Sequence, residues 1–405
     1  SLLPAAAGPA AVTSVGGLEP AELTAIDIDG PYAFVSLGVT GAKWSHRSTL
    51  TADGRLSAFR PSYEHPDYGI QDDHLELIDT ITGARRRLTE LDLTDPFAQI
   101  HHPPECVAVS GDGSTVVFDV TADGLGASPP EEHEFGSWGY AHDVATGELT
   151  ALPLPDPSLR DPALDGLCPL DVSHDGQTVL FALWGQLFLA ELGLGDPVAR
   201  RLLELPEDES AVRPLRAEMD AAGQRIVVEH PATPGGDAID TVTVYDVGSE
   251  LVPVWSSGLG DEDGDAGEDG RTFTGFALSA DGSTLTWVEQ YPEWAVEAER
   301  AFYVLDLTDP DPSPARVLLP PEPARPGWSP LPSWATDVAL SADGSSVFVA
   351  GRHRVHRYIV TTGAFELVAD TSPLDSGELI EDPEHGDWWE SCEGCRMFVH
   401  DLQVS

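Results

Sequence analysis

One short phrase returns along most of this chain and limits what it can fold into: an apolar strand ending in Ser, a tight turn with Gly, and a second apolar strand. Its cleanest copy runs from Asp337 to Asp370, where DVALS meets Ala342-Asp343-Gly344-Ser345, SVFVAG comes next, and RVHRYIV and AFELVAD flank a Thr-Thr-Gly turn. The copies align on Asp53-Gly54, Asp112-Gly113, Asp175-Gly176, Ala222-Gly223, Asp281-Gly282 and Asp343-Gly344. A recurrence every ~60 residues marks a repeat architecture. Asp-Gly tolerates the positive φ that a tight hairpin needs, so each turn joins the first two strands of a four-stranded unit.

The segment after each turn is almost unbroken hydrophobe: TVVFDV at 115–120, TVLFALW at 178–184, RIVVEH at 225–230, TLTWVEQ at 284–290 and SVFVAG at 346–351. Strands read this way when both faces are covered. Four-stranded units covered on both faces, set radially around an axis, make an all-β propeller. Seven blades are expected. Six units fill 48–370, and the hairpin at 21–38, with Asp29-Gly30 at its tip, joins RMFVHDLQVS at 396–405 to build the last blade from both chain ends. Six blades, with the terminal strands packing as extras, is the alternative. Residues 1–20, small and punctuated by Pro and Gly, read as an extended arm ahead of a single propeller domain at 21–405. Ala222 in place of Asp, and Val247-Gly248 in place of Thr-Gly, predict a distorted fourth blade.

Charge narrows the partners. Against 69 Asp and Glu stand 21 Lys and Arg, a net −48, and Lys43 is the only lysine. Such a surface repels nucleic acid and anionic lipid and attracts cations and basic partners. It suits saline or cation-rich surroundings, although coding bias gives the same composition and both readings stay open. No run is long enough to span a bilayer as a helix. A single lysine removes most Schiff-base and Ser-Lys chemistry, no Gly-x-Ser-x-Gly elbow is present, and no glycine loop with its Lys cradles phosphate.

The phrases LSADGSTLTWV, LSADGSSVFVA and VSGDGSTVVFD, paired with IDTITGARRRL, HDVATGELTAL and YIVTTGAFELV, resemble the TolB-type and WD-repeat-like propeller repeats of exported bacterial proteins, over residues 22–405. The resemblance implies a rigid disc with a central channel, used mostly for protein interaction, in which the repeat residues are structural.

Most candidate site residues lie outside the repeat strands. Asp261, Asp263, Asp265 and Asp269 in GLGDEDGDAGEDGR supply the dense hard-oxygen set that Ca²⁺ takes. The EF-hand spacing is absent, with Ala266 at the sharp-turn position, and a solvated acidic rim loop is the competing reading. Trp294, Trp328, Trp334, Trp388 and Trp389 fall in loops, where Trp anchors a partner or caps a blade end. His101, His102 and His133 are loop residues, and His353 and His356 belong to a solvated third strand of blade six. Cys106 and Cys168 precede successive turns by similar distances, which makes a disulfide between adjacent blades geometrically feasible. Cys392 and Cys395 form a lone Cys-x-x-Cys, read as a local disulfide. An even cysteine count with such pairings fits an oxidising compartment, extracellular or cell-surface, with the periplasm as alternative. The expected function is a non-catalytic module that binds a protein partner or assembles at the surface. The alternative is a Ca²⁺-dependent lactonase or sugar oxidoreductase, which would gather carboxylates and His from the first strands at the channel mouth.

Overall fold

The computed structural model of the chain describes residues 25–26, 34–35, 49–53, 55–59, 63–65, 69–71, 75–79, 84–88, 106–121, 137–153, 167–183, 186–193, 198–204, 216–231, 240–258, 272–290, 301–320, 337–350, 354–370, 380–381 and 388–389. Strands β1 (Ala25–Ile26) and β2 (Phe34–Val35) pair as the expected N-terminal hairpin. Blade 1 is β3 (Thr49–Leu50), β4 (Leu56–Phe59), β7 (Glu76–Asp79) and β8 (Arg85–Arg87), with the small hairpin β5 (Tyr63–His65) and β6 (Gly69–Gln71) inserted between its second and third strands. Blade 2 is β9 (Val107–Val109), β10 (Thr115–Thr121), β11 (Ser137–Asp143) and β12 (Leu149–Ala151). Blade 3 is β13 (Cys168–Val172), β14 (Thr178–Leu183), β15 (Gln186–Glu191) and β16 (Val198–Glu204). Blade 4 is β17 (Arg216–Met219), β18 (Arg225–Pro231), β19 (Asp240–Val247) and β20 (Leu251–Gly258). Blade 5 is β21 (Thr272–Leu278), β22 (Thr284–Gln290), β23 (Ala301–Asp306) and β24 (Ala315–Leu318), and blade 6 is β25 (Asp337–Leu340), β26 (Ser346–Ala350), β27 (Arg354–Ile359) and β28 (Ala364–Asp370). Beyond blade 6, β29 (Ile380–Glu381) pairs with β30 (Trp388–Trp389).

Each blade is an antiparallel meander, and the first strands lie against one another in chain order, β3 on β9, then β13, β17, β21 and β25. Five apolar clusters fill the five seams between successive blades. Phe118 lies between blades 1 and 2, Phe181 and Phe188 between 2 and 3, Leu180 and Ile226 between 3 and 4, Trp287 between 4 and 5, and Phe302 between 5 and 6, all essentially without exposure. Burying each such side chain stabilises the fold by ~1.5–3 kcal/mol, and no blade could hide its second strand alone. The chain is an all-β propeller. Six complete blades lie among the described residues, the smaller of the two expected counts. Asp29, Gly30 and 396–405, from which a seventh was to be assembled, lie outside them.

The turns show why the repeat is spelled as it is. Ser110 Oγ donates to Asp112 Oδ1 at 2.8 Å, and that oxygen also accepts the Ser114 N–H at 2.9 Å. Ser110 Oγ in turn accepts the Thr115 N–H at 3.0 Å. The same hydroxyl-to-carboxylate bond recurs with Thr51 and Asp53, Ser173 and Asp175, Ser279 and Asp281, and Ser341 and Asp343. Gly113, Gly176, Gly223, Gly282 and Gly344 all take φ between 66° and 73°.

The predicted distortion of blade 4 is not found. β17 pairs β18 without a register slip, and the one irregularity, between β19 and β20, has counterparts in blades 3 and 6. The reason lies two residues upstream of the missing Asp. Asp220 stands at the Ser position, and its longer carboxylate reaches the Gln224 N–H at 2.7 Å, the group equivalent to Ser114 N–H. Two exchanges, Ser to Asp and Asp to Ala, cancel.

Candidate functional site

Strand register divides the disc into two rims. In blade 5, Thr272 pairs Gln290, Leu278 pairs Leu285, and Ala301 pairs Leu318, so the tight turn and the hairpin joining strands three and four lie at one end. The connections from second to third strand, and from each blade to the next, lie at the other. The first end is the turn rim and the second the open rim.

The turn rim is knit together by main-chain atoms. Ala52 N–H donates to Gly111 C=O at 2.9 Å, Asp112 N–H to His174 C=O at 2.9 Å, and His174 N–H to Ala221 C=O at 3.0 Å. Ala221 N–H donates to Ala280 C=O at 2.9 Å, and Ala280 N–H to Ala342 C=O at 3.0 Å. The tight-turn aspartates of this rim are spent on their own turns. The Thr51 hydroxyl holds the Asp53 carboxyl below its ordinary range, Ser283 does the same for Asp281, and the Ser345 N–H for Asp343.

The channel wall is the inner edge of the first strands, whose outward N–H groups have no ladder partner and need another acceptor. Acidic side chains provide it. Asp171 on β13 accepts the Val172 N–H at 2.8 Å through Oδ1 and, across the seam, the Met219 N–H of blade 4 at 2.7 Å through Oδ2. Glu218 repeats the move one blade on, accepting the Leu278 N–H at 3.2 Å. Asp337 Oδ1 accepts the Val338 N–H at 2.9 Å. Asp171 keeps some accessible surface, yet desolvation of its carboxyl pushes the pKa up to about 6, opposed by those two N–H groups and reinforced by the charge of Asp220. These wall carboxylates cap backbone rather than converge. Among the described residues no three His, Cys, Asp or Glu side chains are grouped to hold a metal ion.

Near the open rim, Cys106 and Cys168 form the disulfide expected between blades 2 and 3, with Cα atoms 5.4 Å apart. Cys106 is buried and Cys168 partly exposed. Asp119 on the second strand fixes this end by accepting the Cys106 N–H at 2.8 Å.

Of the other residues singled out from sequence, Asp261, Asp263, Asp265, Asp269, Trp294, Trp328, Trp334, Cys392, Cys395, His101, His102, His133 and His353 lie outside the described residues. The strand ends that flank several of them are placed. Segment 259–271 joins Gly258 to Thr272, segment 291–300 joins Gln290 to Ala301, and segment 321–336 joins the end of blade 5 to Asp337, all starting and ending at the open rim. Trp388 and Trp389, expected in a loop, instead form β30, because their backbone pairs antiparallel with Glu381 and Ile380. His356 lies on β27 as expected, half-buried, with its ring edge-on to Phe365 at 6.3 Å.

Sequence reasoning missed Asp171 and Glu218, whose signal is an acid two residues before the turn motif in an otherwise apolar strand. It also missed His142, a buried histidine on β11.

No protein-family model matches the chain, and no curated protein matches it. Among solved structures, it is similar to the β-propeller domain of Cps50 (Swd1) from Myceliophteria thermophila, with 14% identity, 80% of this chain and 88% of that one covered, and a TM-score of 0.44. It is also similar to the β-propeller domain of the Trilobed protease from Pyrococcus furiosus, described as having an open velcro topology, with 10% identity, coverage of 81% and 85%, and a TM-score of 0.46. No helix among the described residues is long and apolar enough to cross a membrane.

Proposed function

We propose that this propeller is a non-catalytic protein-binding module built from TolB-type repeats, exported to the cell surface or beyond, whose working face is the open rim. One observation carries the reading: every long connection between strands leaves from that rim, while the opposite rim is tied off by backbone bonds and by carboxylates committed to their own turns. Loops held by a rigid scaffold are where binding residues concentrate. The disulfide at the open-rim end supports an oxidising compartment, because such bridges persist where thiols are not kept reduced. The acidic balance favours a partner with a basic face.

The test compares the two rims. One variant replaces 122–136 and 291–300 by short Gly-Ser linkers, and a second carries Glu148→Lys and Asp311→Lys, both exposed at the turn rim. The loop variant should melt close to the wild type, since halving a loop changes closure entropy by only ~0.6 kcal/mol. Captured from a cell-surface extract by crosslinking, the partner should be lost with the loop variant and retained with the turn-rim variant. The opposite pattern would remove the proposal.

A further inference from the structure

We propose that the seam between blades 1 and 2 is an acid-sensitive latch, held shut while the His142 imidazole is neutral and released when it takes up a proton. His142 sits on β11, directly between Val116 of β10 and Leu149 of β12, and shares their face. That face belongs to the apolar cluster joining blades 1 and 2. The side chain is 4% exposed, and its Nδ1 is buried with no hydrogen-bond partner among the described residues.

Among the described residues, the charged groups bearing on it come from few places. Arg86 lies on the seam face of β8, because it stands opposite Leu77 of the same cluster, and it donates to the Val144 C=O at 2.5 Å, two residues beyond His142. It is the cation blade 1 presents here. From β7 come Leu75 and Leu77, with Asp79 further along and tied to Arg55 at 3.0 Å. β4 contributes Leu56 and Ala58. On the histidine's own strand, Asp143 turns its carboxylate to the Ala145 and Thr146 N–H groups at 2.9 and 2.7 Å. A proton on His142 would therefore bury a second positive charge near the exposed Arg86 guanidinium, with no acceptor at Nδ1 among the described residues. Burial first and the Arg86 charge second push the imidazole pKa below its ordinary value, outweighing the opposing pull of the residue's own backbone and of the Asp143 charge. A histidine depressed in the closed form holds the seam fully above the unfolded pKa of ~6.5 and gives that stability up as pH falls.

Among the described residues, blade 1 has no covalent cross-link to blade 2. The disulfide ties blade 2 to blade 3, whereas blade 1 is joined to blade 2 by the apolar cluster, the Ala52 bond at the turn rim and Arg86. Hydrogen exchange of the full chain, read by mass spectrometry at about pH 7.5 and pH 5, tests this. After correction for intrinsic exchange, peptides covering β4, β7 and β8 should open about tenfold more at the lower pH, while β14 and β18 stay unchanged. His142→Leu and His142→Gln should both abolish that difference, the Gln variant serving if Leu impairs folding. Titration of the wild-type imidazole by NMR completes the test: a pKa above the ordinary histidine value would overturn the latch. So would equal opening of blade 1 at the two pH values, or a pH response that survives in His142→Gln.

Discussion

The two rims of this propeller are built from the same strands and obey different rules. At the turn rim most units spend a Ser or Thr, an Asp and a Gly on a turn a few residues long, blade 4 carrying its carboxylate on Asp220 instead, and neighbouring turns share a backbone hydrogen bond. At the open rim the chain leaves one strand and enters the next through segments of very different length, from 184–185 in blade 3 to 122–136 in blade 2. Local geometry is prescribed at one end of the disc and only the attachment points at the other. On the proposed function, a change at the turn rim acts through stability and a change at the open rim through recognition.

The disulfide is where that contrast can be broken most sharply, because it is a covalent constraint at the otherwise permissive end. Cys106→Ser with Cys168→Ser reopens a loop of 62 residues. Chemical denaturation should then show a loss of about 4 kcal/mol by the chain-entropy account. A loss confined to a few tenths would mean that the open rim is held by packing alone. At the turn rim, Gly344→Val should cost about 3 kcal/mol, since Gly344 has φ +67° and an added Cβ would sit 2.5 Å from Thr284 Oγ1. A melting temperature left unchanged would show that the turn is less prescribed than its spelling.

The smallest effect separates the channel wall from both rims. Folded Asp171 keeps its proton to about pH 6, against 3.8 for an ordinary Asp carboxyl, so its contribution is present below pH 3.8 and is lost as pH rises through 6. Asp171→Asn should consequently gain on the wild type, between pH 4 and pH 7, by on the order of 1–3 kcal/mol. The turn-rim aspartates have the opposite sign. Their depressed pKa values give stability that is present above the ordinary carboxyl range and lost on strong acidification. Parallel pH profiles for Asp171→Asn and the wild type would remove the distinction.

Much of the fold was legible because its turns are chemical necessities. A Gly with positive φ after an Asp that caps two turn groups leaves a short, recognisable spelling, and the five repeat glycines among the described residues adopt the conformation it predicts. The disulfide was legible for the same reason, since aligning the turns aligns Cys106 with Cys168 across one seam. Blade 4 misled because the motif was read position by position. Asp220 and Ala222 share one task, and the oxygen that matters can be carried by either position. The wall carboxylates were hidden differently. Nothing in LDVS or AEMD says that Asp171 and Glu218 reach sideways to an N–H in the next blade, a fact fixed by how strands stack around the axis. His142, inside AHDVATGEL, was read through the turn after it and not through the apolar seam beside it.

The belt along the turn rim uses only peptide N–H and C=O groups, contributed by Ala52, Gly111, Asp112, His174, Ala221, Ala280 and Ala342. Along that belt, neighbours in the disc therefore clasp one another without consulting side-chain identity. A lineage could duplicate, delete or exchange a whole blade, and the clasp would re-form between strangers.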